Sequence, residues 1–234
     1  MVRIVFLLTG ITFLFLSPGF SRTALGMTGD EVLTELQKRY EQTAELEAGF
    51  NQEYISKSLP MPQKGEGRIY LKKKGMMRWD YRKPNQKLIS NGKTLWFYQA
   101  EENQVMVSDI AQVVREKTPL AFLSGEGDIR RDFTLVTMQE PAKEPVYVLE
   151  LTPNDPEAAM TKLILAVDKK SFWIVQADVF DGLGNVSRTR FSGIKTNVSL
   201  SASFFEFKIP KGAEVIKFQE SVEPFTPSKG TKGK

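Results

Sequence analysis

The sequence predicts a mainly β chain: a single, strongly bent, unclosed antiparallel barrel of about eleven strands, with helices over its mouth. Three observations point there. Apolar and polar residues alternate in short runs along most of the chain, as they do in strands with one buried face. Turn chemistry separates the runs, Asn91-Gly92 being the strongest hairpin signal among them. So many strands in one sheet would leave long exposed edges unless the sheet curls.

The first element after residue 27 is a helix. Thr28 or Asp30 can cap it, and Val32, Leu33, Leu36 and Tyr40 recur at helical spacing to give one apolar stripe. The period then shortens to two: Leu46, Ala48, Phe50 and Tyr54 alternate with Glu47, Asn51 and Glu53. Strands follow over 65–73, 76–81, 87–90, 95–99 and 105–108, a meander broken by Lys74-Gly75, Lys83-Pro84-Asn85, Asn91-Gly92 and the polar run 101–104. Pro119 opens a short helical insert containing Leu120, Phe122 and Leu123, which Gly125 stops. A second strand series runs through 134–138, 146–151, 162–168, 173–180 and 186–196, with a last strand expected at 204–209. No interdomain linker interrupts this order.

Composition narrows the chemistry. The 234 residues contain neither Cys nor His, which excludes disulfides, thiolate or Ser-His-Asp catalysis, iron–sulfur clusters and zinc sites of ordinary make-up. A net charge of +4 is too small to indicate nucleic acid. Hydrophobic residues at 41% and charged residues at 26% fit a folded chain. At the N-terminus, Arg3 precedes an uncharged run over 4–21, and the small residues Ala24 and Gly26 suit a peptidase, so residues 1–26 are expected to be a cleaved secretory signal. The domain is then expected over 27–225, with a flexible basic tail at 226–234.

No catalytic constellation emerges. Gly92-Lys93-Thr94 ends like a phosphate-binding loop, but position 87 is Lys where the motif needs Gly. The carboxylate neighbours Asp30-Glu31, Glu101-Glu102 and Asp178/Asp181 fall in first turns or near hairpins and are read as solvated charge. Asn185 and Asn197 begin glycosylation-type sequons. Neither cofactor nor metal is expected. What stands out is apolar surplus: Met61, Met76, Met77, Trp79 and Tyr81 lie close together, and Leu95–Tyr98 is apolar or aromatic on both strand faces. One face of such a strand fills a core; the other can be a second core surface or a cavity wall.

These residues resemble the LolA family of periplasmic lipoprotein carriers. The match is densest over GEGRIYLKKKGMMRWDYRKPNQKLISNGKTLWFY at 65–98, supported by ELEAGFNQ at 45–52, TPLAFL at 118–123 and FEFKIPKGAEVI at 205–216. The resemblance implies a helical lid over an apolar cavity in the half-barrel and no enzymatic activity. It implies acylated lipoproteins as cargo, taken from an inner-membrane ABC transporter complex and passed to an outer-membrane lipoprotein receptor. A soluble periplasmic protein, monomeric and without nucleic acid, is expected. A sensor domain of the same fold, binding lipid or lipoprotein without passing it on, is the alternative. On this basis Phe50, Ile69, Met77, Trp79 and Leu95 are expected to line the sheet side of the cavity, with Leu33, Leu36, Tyr40, Leu120, Phe122 and Leu123 on the lid. The family's Arg-Pro pair, whose Arg holds the closed lid, is replaced by Lys73-Lys74, making Lys73 the latch candidate; lysine keeps the charge but loses the planar fork.

Overall fold

The computed structural model describes residues 26–111 and 127–217. Helix α1 (Gly29–Gln42) starts on a capping box, in which Thr28 Oγ1 accepts from the Glu31 N–H and Glu31 Oε2 accepts from the Thr28 N–H at 2.7 Å. Six strands follow: β1 (Glu45–Ile55), β2 (Gln63–Lys72), β3 (Met76–Lys83), β4 (Gln86–Asn91), β5 (Thr94–Gln99) and β6 (Gln104–Asp109). The four-residue helix α2 (Ile129–Asp132) leads into β7 (Phe133–Gln139), β8 (Val146–Pro153), β9 (Met160–Asp168), β10 (Ile174–Asp181) and β11 (Val186–Thr196). A 3₁₀ turn (Ala202–Phe205) and β12 (Glu214–Lys217) complete the order.

All twelve strands join one sheet in the order β12-β6-β5-β4-β3-β2-β1-β11-β10-β9-β8-β7, leaving β12 and β7 as unpaired edges of an unclosed barrel. Strands β1 to β11 pair antiparallel, and only β12 runs parallel, to β6. Register irregularities at Glu47/Gly49, Glu66/Gly67 and Leu135/Thr137 each add local bend and twist. The expected strand at 204–209 is replaced by the 3₁₀ turn and extended chain without ladder partners. That stretch lies across the outer face of the sheet, where its side chains pack, so its apolar residues follow the demands of covering a surface and not those of pairing.

The turns carry the chemistry their sequences require. Asn91 Oδ1 accepts from the N–H groups of Lys93 and Thr94, while Gly92 sits at φ 89°. A side chain there would also strike Lys74 O at 2.3 Å. Asp168 Oδ1 accepts from the Ser171 hydroxyl at 2.7 Å and the Ser171 N–H at 2.8 Å, closing the β9–β10 turn. Asp181 accepts from the Asn185 side chain and from the N–H groups of Leu183 and Asn185 in the β10–β11 turn. Asn185 is itself buried and committed to that bond, so its sequon presents no free amide. Asp178, expected to be solvated, is buried and held by the Arg188 guanidinium at 2.7 Å and by Gln176 Nε2 at 2.9 Å. Three residues apart on β10, the two carboxylates look alike in sequence: Asp178 is paired across to Arg188 on β11, whereas Asp181 at the strand end caps the loop.

The Ser171 hydroxyl and N–H hold the Asp168 carboxyl below its usual range, and the Asn185 side chain does the same for Asp181. A carboxyl lowered in the folded state contributes stability that is complete above the unfolded value, about 3.9, and disappears as pH falls through the lower folded value. The melting temperature is therefore expected to drop between about pH 5 and pH 2, and Asp168→Asn to flatten that acid limb in a calorimetric pH series. Gly67 provides a packing test: a Cβ there would lie 2.0 Å from Asp80 O on the neighbouring strand, while one on Gly182 meets nothing within 4 Å. Gly67→Ala is expected to cost about 1–3 kcal/mol in urea unfolding, and Gly182→Ala within about 0.5 kcal/mol of zero.

Candidate functional site

Inward-facing residues of the sheet and the apolar stripe of α1 form a single buried cluster. Phe50, Ile69, Met77 and Trp79 are at most 4% exposed and Leu95 is 8% exposed, and all belong to it. From α1 come Val32, Leu33, Leu36 and Tyr40, which the helical period places on one side of the cylinder. The far wall, β8 to β10, adds Tyr147, Leu149, Leu151, Leu163, Leu165 and Ile174. Of the expected lid residues, Leu120, Phe122 and Leu123 lie outside the described residues.

At the centre is an aromatic group. Phe50 meets Trp79 and Tyr81 edge-on, each with ring centroids 4.8 Å apart, and Phe191 approaches Trp79 at 6.2 Å. Phe50 and Phe191 are register partners on β1 and β11, as Ile69 and Trp79 are on β2 and β3. Tyr81 stood in the sequence only as part of the apolar surplus, and Phe191 was not singled out, because its place beside Phe50 depends on the long-range β1–β11 pairing. A polar corner adjoins them: the Tyr81 hydroxyl donates to Gln52 Oε1 at 3.0 Å, and Gln52 Nε2 donates to the Ser187 and Thr189 hydroxyls. Burial pushes the Tyr81 hydroxyl up to about 12, so it remains a neutral donor at physiological pH. Tyr40 is likewise raised by burial, with the Ile174 backbone acting the other way.

Helix α1 is fastened to the sheet rim by a small number of polar contacts. Gln37 accepts from the Ile129 N–H at 3.0 Å, and Arg130 donates to Thr34 Oγ1 at 3.0 Å. At its C-terminal end Tyr40 stands edge-on to Trp173 at 5.0 Å, Arg39 lies over the same ring, and Arg39 Nε donates to Ser171 O. Lys73 Nζ donates to Glu41 O at 2.5 Å, a cation on a carbonyl of the last helical turn. The next residue back, Lys72, is instead held by Glu45 and Leu200 O, anchoring the chain after β11.

The opposite face explains the double-sided aromatic strand. Phe207 packs on Tyr98 at 5.5 Å and on Trp96 at 6.4 Å, while Phe204 meets Tyr70 at 4.9 Å under the Arg78 guanidinium. Phe205, Ile89 and Val105 are fully buried but lie outside the inner cluster. Leu95 therefore serves the inner face, and Trp96 and Tyr98 serve a strap of chain on the outer one. Further along the outer face is a groove of about 550 Å³ among Gly49, Gly67 and Gly193, rimmed by Glu47, Arg68, Asp80, Arg82 and Lys195. Its polar rim, with Arg68 paired to Glu47, is unsuited to hydrocarbon. Among the described residues no group of three or more acidic side chains is placed to hold a metal ion, and no helix is long and apolar enough to cross a membrane.

Comparison with known proteins agrees with this geometry. Residues 41–208 match the family model described as outer membrane lipoprotein carrier protein LolA. An outer-membrane lipoprotein carrier protein of Methylococcus capsulatus is 29% identical over 74% of this chain and 81% of its own length. One of Dechloromonas aromatica is 31% identical over 74% of this chain and 82% of its own. Among solved structures, an uncharacterized conserved protein of Thermus thermophilus superposes with a TM-score of 0.50 at 15% identity, covering 81% of this chain and 98% of that one, a likeness of fold alone.

The Lys73 contact yields a direct test. Lys73→Ala removes the cation from the end of α1, worth about 0.3–1 kcal/mol at an exposed helix terminus. It is expected to raise binding of the apolar dye 1-anilinonaphthalene-8-sulfonate severalfold, whereas Lys73→Arg keeps the low wild-type signal. Equal dye binding by all three proteins would show that Lys73 does not hold the helix down.

Proposed function

The chain belongs to the family of outer-membrane lipoprotein carrier proteins, LolA, and on that premise we infer that it is a periplasmic chaperone that shields the acyl chains of lipoproteins on their way to the outer membrane. The observation that carries this reading is the single inner apolar cluster shared by the sheet and α1, with the polar contacts of α1 among the described residues lying at its margins. Such a surface can be uncovered without unfolding the sheet.

The energetics agree in scale. Burying the apolar side chains of α1, at about 1.5–3 kcal/mol each, holds the helix with roughly 6–12 kcal/mol as an upper estimate. One acyl chain of about sixteen carbons releases on the order of 12 kcal/mol when it leaves water. An acyl chain can thus replace α1 against the sheet at nearly even cost. Transfer needs only small differences between hosts, because the cargo moves from bilayer to protein to bilayer and never through water.

Loading by an inner-membrane ABC transporter complex, release to an outer-membrane lipoprotein receptor, and a monomeric carrier complete the proposed cycle. Export rests on the leader read at residues 1–26, most of which lies outside the described residues, as does the basic tail at 226–234. Phe50, Ile69, Met77, Trp79 and Leu95 are proposed as the acyl-contacting wall, Leu33, Leu36 and Tyr40 as the covering face, and Lys73 as its latch.

Native mass spectrometry of the protein purified from its own periplasm is expected to show a bound lipopeptide or lipoprotein mass. Met77→Glu, selected for a cooperative thermal melt, is expected to lose that adduct, and Met77→Leu to keep it. A folded Met77→Glu protein that still carries the same cargo would remove Met77 from the proposed wall.

A further inference from the structure

One buried polar atom of the inner cluster has no partner among the described residues. Trp79 is 4% exposed, and its indole Nε1 meets no acceptor among them. A buried N–H without an acceptor is uncommon and destabilising, and an indole placed in a core ordinarily reaches one. Asp80 Oδ1 is the other such buried side-chain atom among the described residues, but its carboxylate is already engaged: Arg78 Nε donates to Oδ2 at 2.9 Å. Trp79 has no second polar atom to compensate.

The neighbours of Trp79 make the omission specific. The Tyr81 hydroxyl spends its proton on Gln52, and the Gln52 amide donates to Ser187 and Thr189. Side by side, then, stand a satisfied polar corner and one unsatisfied donor, at the junction with the apolar rings of Phe50 and Phe191. Replacing the indole by a phenyl ring would fill most of the same apolar space without the cost, so the donor is surplus to packing.

An acylated lipid has this polarity: long hydrocarbon tails joined through ester or amide carbonyls, which are acceptors and carry no proton. We propose that Trp79 Nε1 donates to an acyl carbonyl of the cargo's lipid, so that Trp79 sets the depth to which the acyl chains enter and selects acyl-linked lipid over lipid with no carbonyl. This deepens the carrier reading and rests on it. The donor lacks a partner among the described residues, and a ligand carbonyl that satisfies it would favour the loaded protein.

The test uses two synthetic lipopeptides on one peptide: S-[2,3-bis(palmitoyloxy)propyl]cysteine and its dihexadecyl ether analogue, alike in chain length. The wild-type protein is expected to bind the ester probe about five- to tenfold more tightly. Trp79→Phe is expected to bind both alike, at about the wild-type affinity for the ether. The chain has three tryptophans, so ¹⁵N-indole labelling gives a second measure on the unmutated protein, in which one indole N–H resonance moves downfield with the ester probe and not with the ether. Equal affinity of wild type for the two probes, discrimination that survives in Trp79→Phe, or indole resonances that respond identically to both would each overturn the assignment while leaving the carrier intact. If neither probe binds wild type, the carrier reading itself fails. Should Trp79→Phe not fold, the wild-type affinity ratio and the indole shifts still decide.

Discussion

The inner face of the curved sheet has to be kept from water, and one helix does much of that work with the same apolar contacts that a lipid tail would make. Val32, Leu33, Leu36 and Tyr40 belong with Phe50, Ile69, Met77 and Trp79 to a single buried cluster. Because dispersion and hydrophobic burial are non-directional, this surface does not distinguish leucine side chains from methylene chains. On the proposed function, helix and acyl chain compete for this surface, and the polar contacts of α1 bias the outcome. Arg39 on Ser171, Gln37 with Ile129, Arg130 on Thr34 and Lys73 on Glu41 are each modest and largely exposed, so the helix is held weakly by each.

Stability has to come from elsewhere if that face is to remain exchangeable, and the outer face supplies part of it. The 3₁₀ turn and the extended chain after it cover Tyr70, Trp96 and Tyr98 with Phe204 and Phe207, and bury Phe205. Lys72 and Glu45 pin the start of this strap through Leu200, and β12 closes it with a parallel pairing on β6. Two apolar layers thus lie on opposite faces of the sheet, and the proposed function assigns cargo to the inner one.

Local patterning made much of this visible. The period of α1 and its capping box, the alternation in β1, and the turn residues at Lys74-Gly75, Asn91-Gly92 and Asp181 to Asn185 all correspond to the elements observed. The residues named for the inner wall came from the family resemblance, and their burial in one cluster is what the structure adds. The aromatic strand Leu95–Tyr98 was ambiguous for a physical reason: its outer partner is Phe207, more than a hundred positions away, and no local period encodes such a contact. Residues 204–209 read as a strand because apolar alternation reports a buried face, whether a ladder or a flat surface buries it.

By itself, the sequence determined β1 to β11 with their turns, the opening amphipathic helix, the absence of cysteine and histidine chemistry, and the family likeness, since each depends on neighbours within a few residues or on composition. Only the tertiary structure decided which apolar residues share the inner cluster and which the returning chain covers, that Asp178 is an ion-paired interior group, and that the Trp79 indole meets no acceptor among the described residues. Those three outcomes depend on what distant strands and the returning chain bring to each side chain, and burial with its hydrogen-bond balance is a property of that assembled neighbourhood.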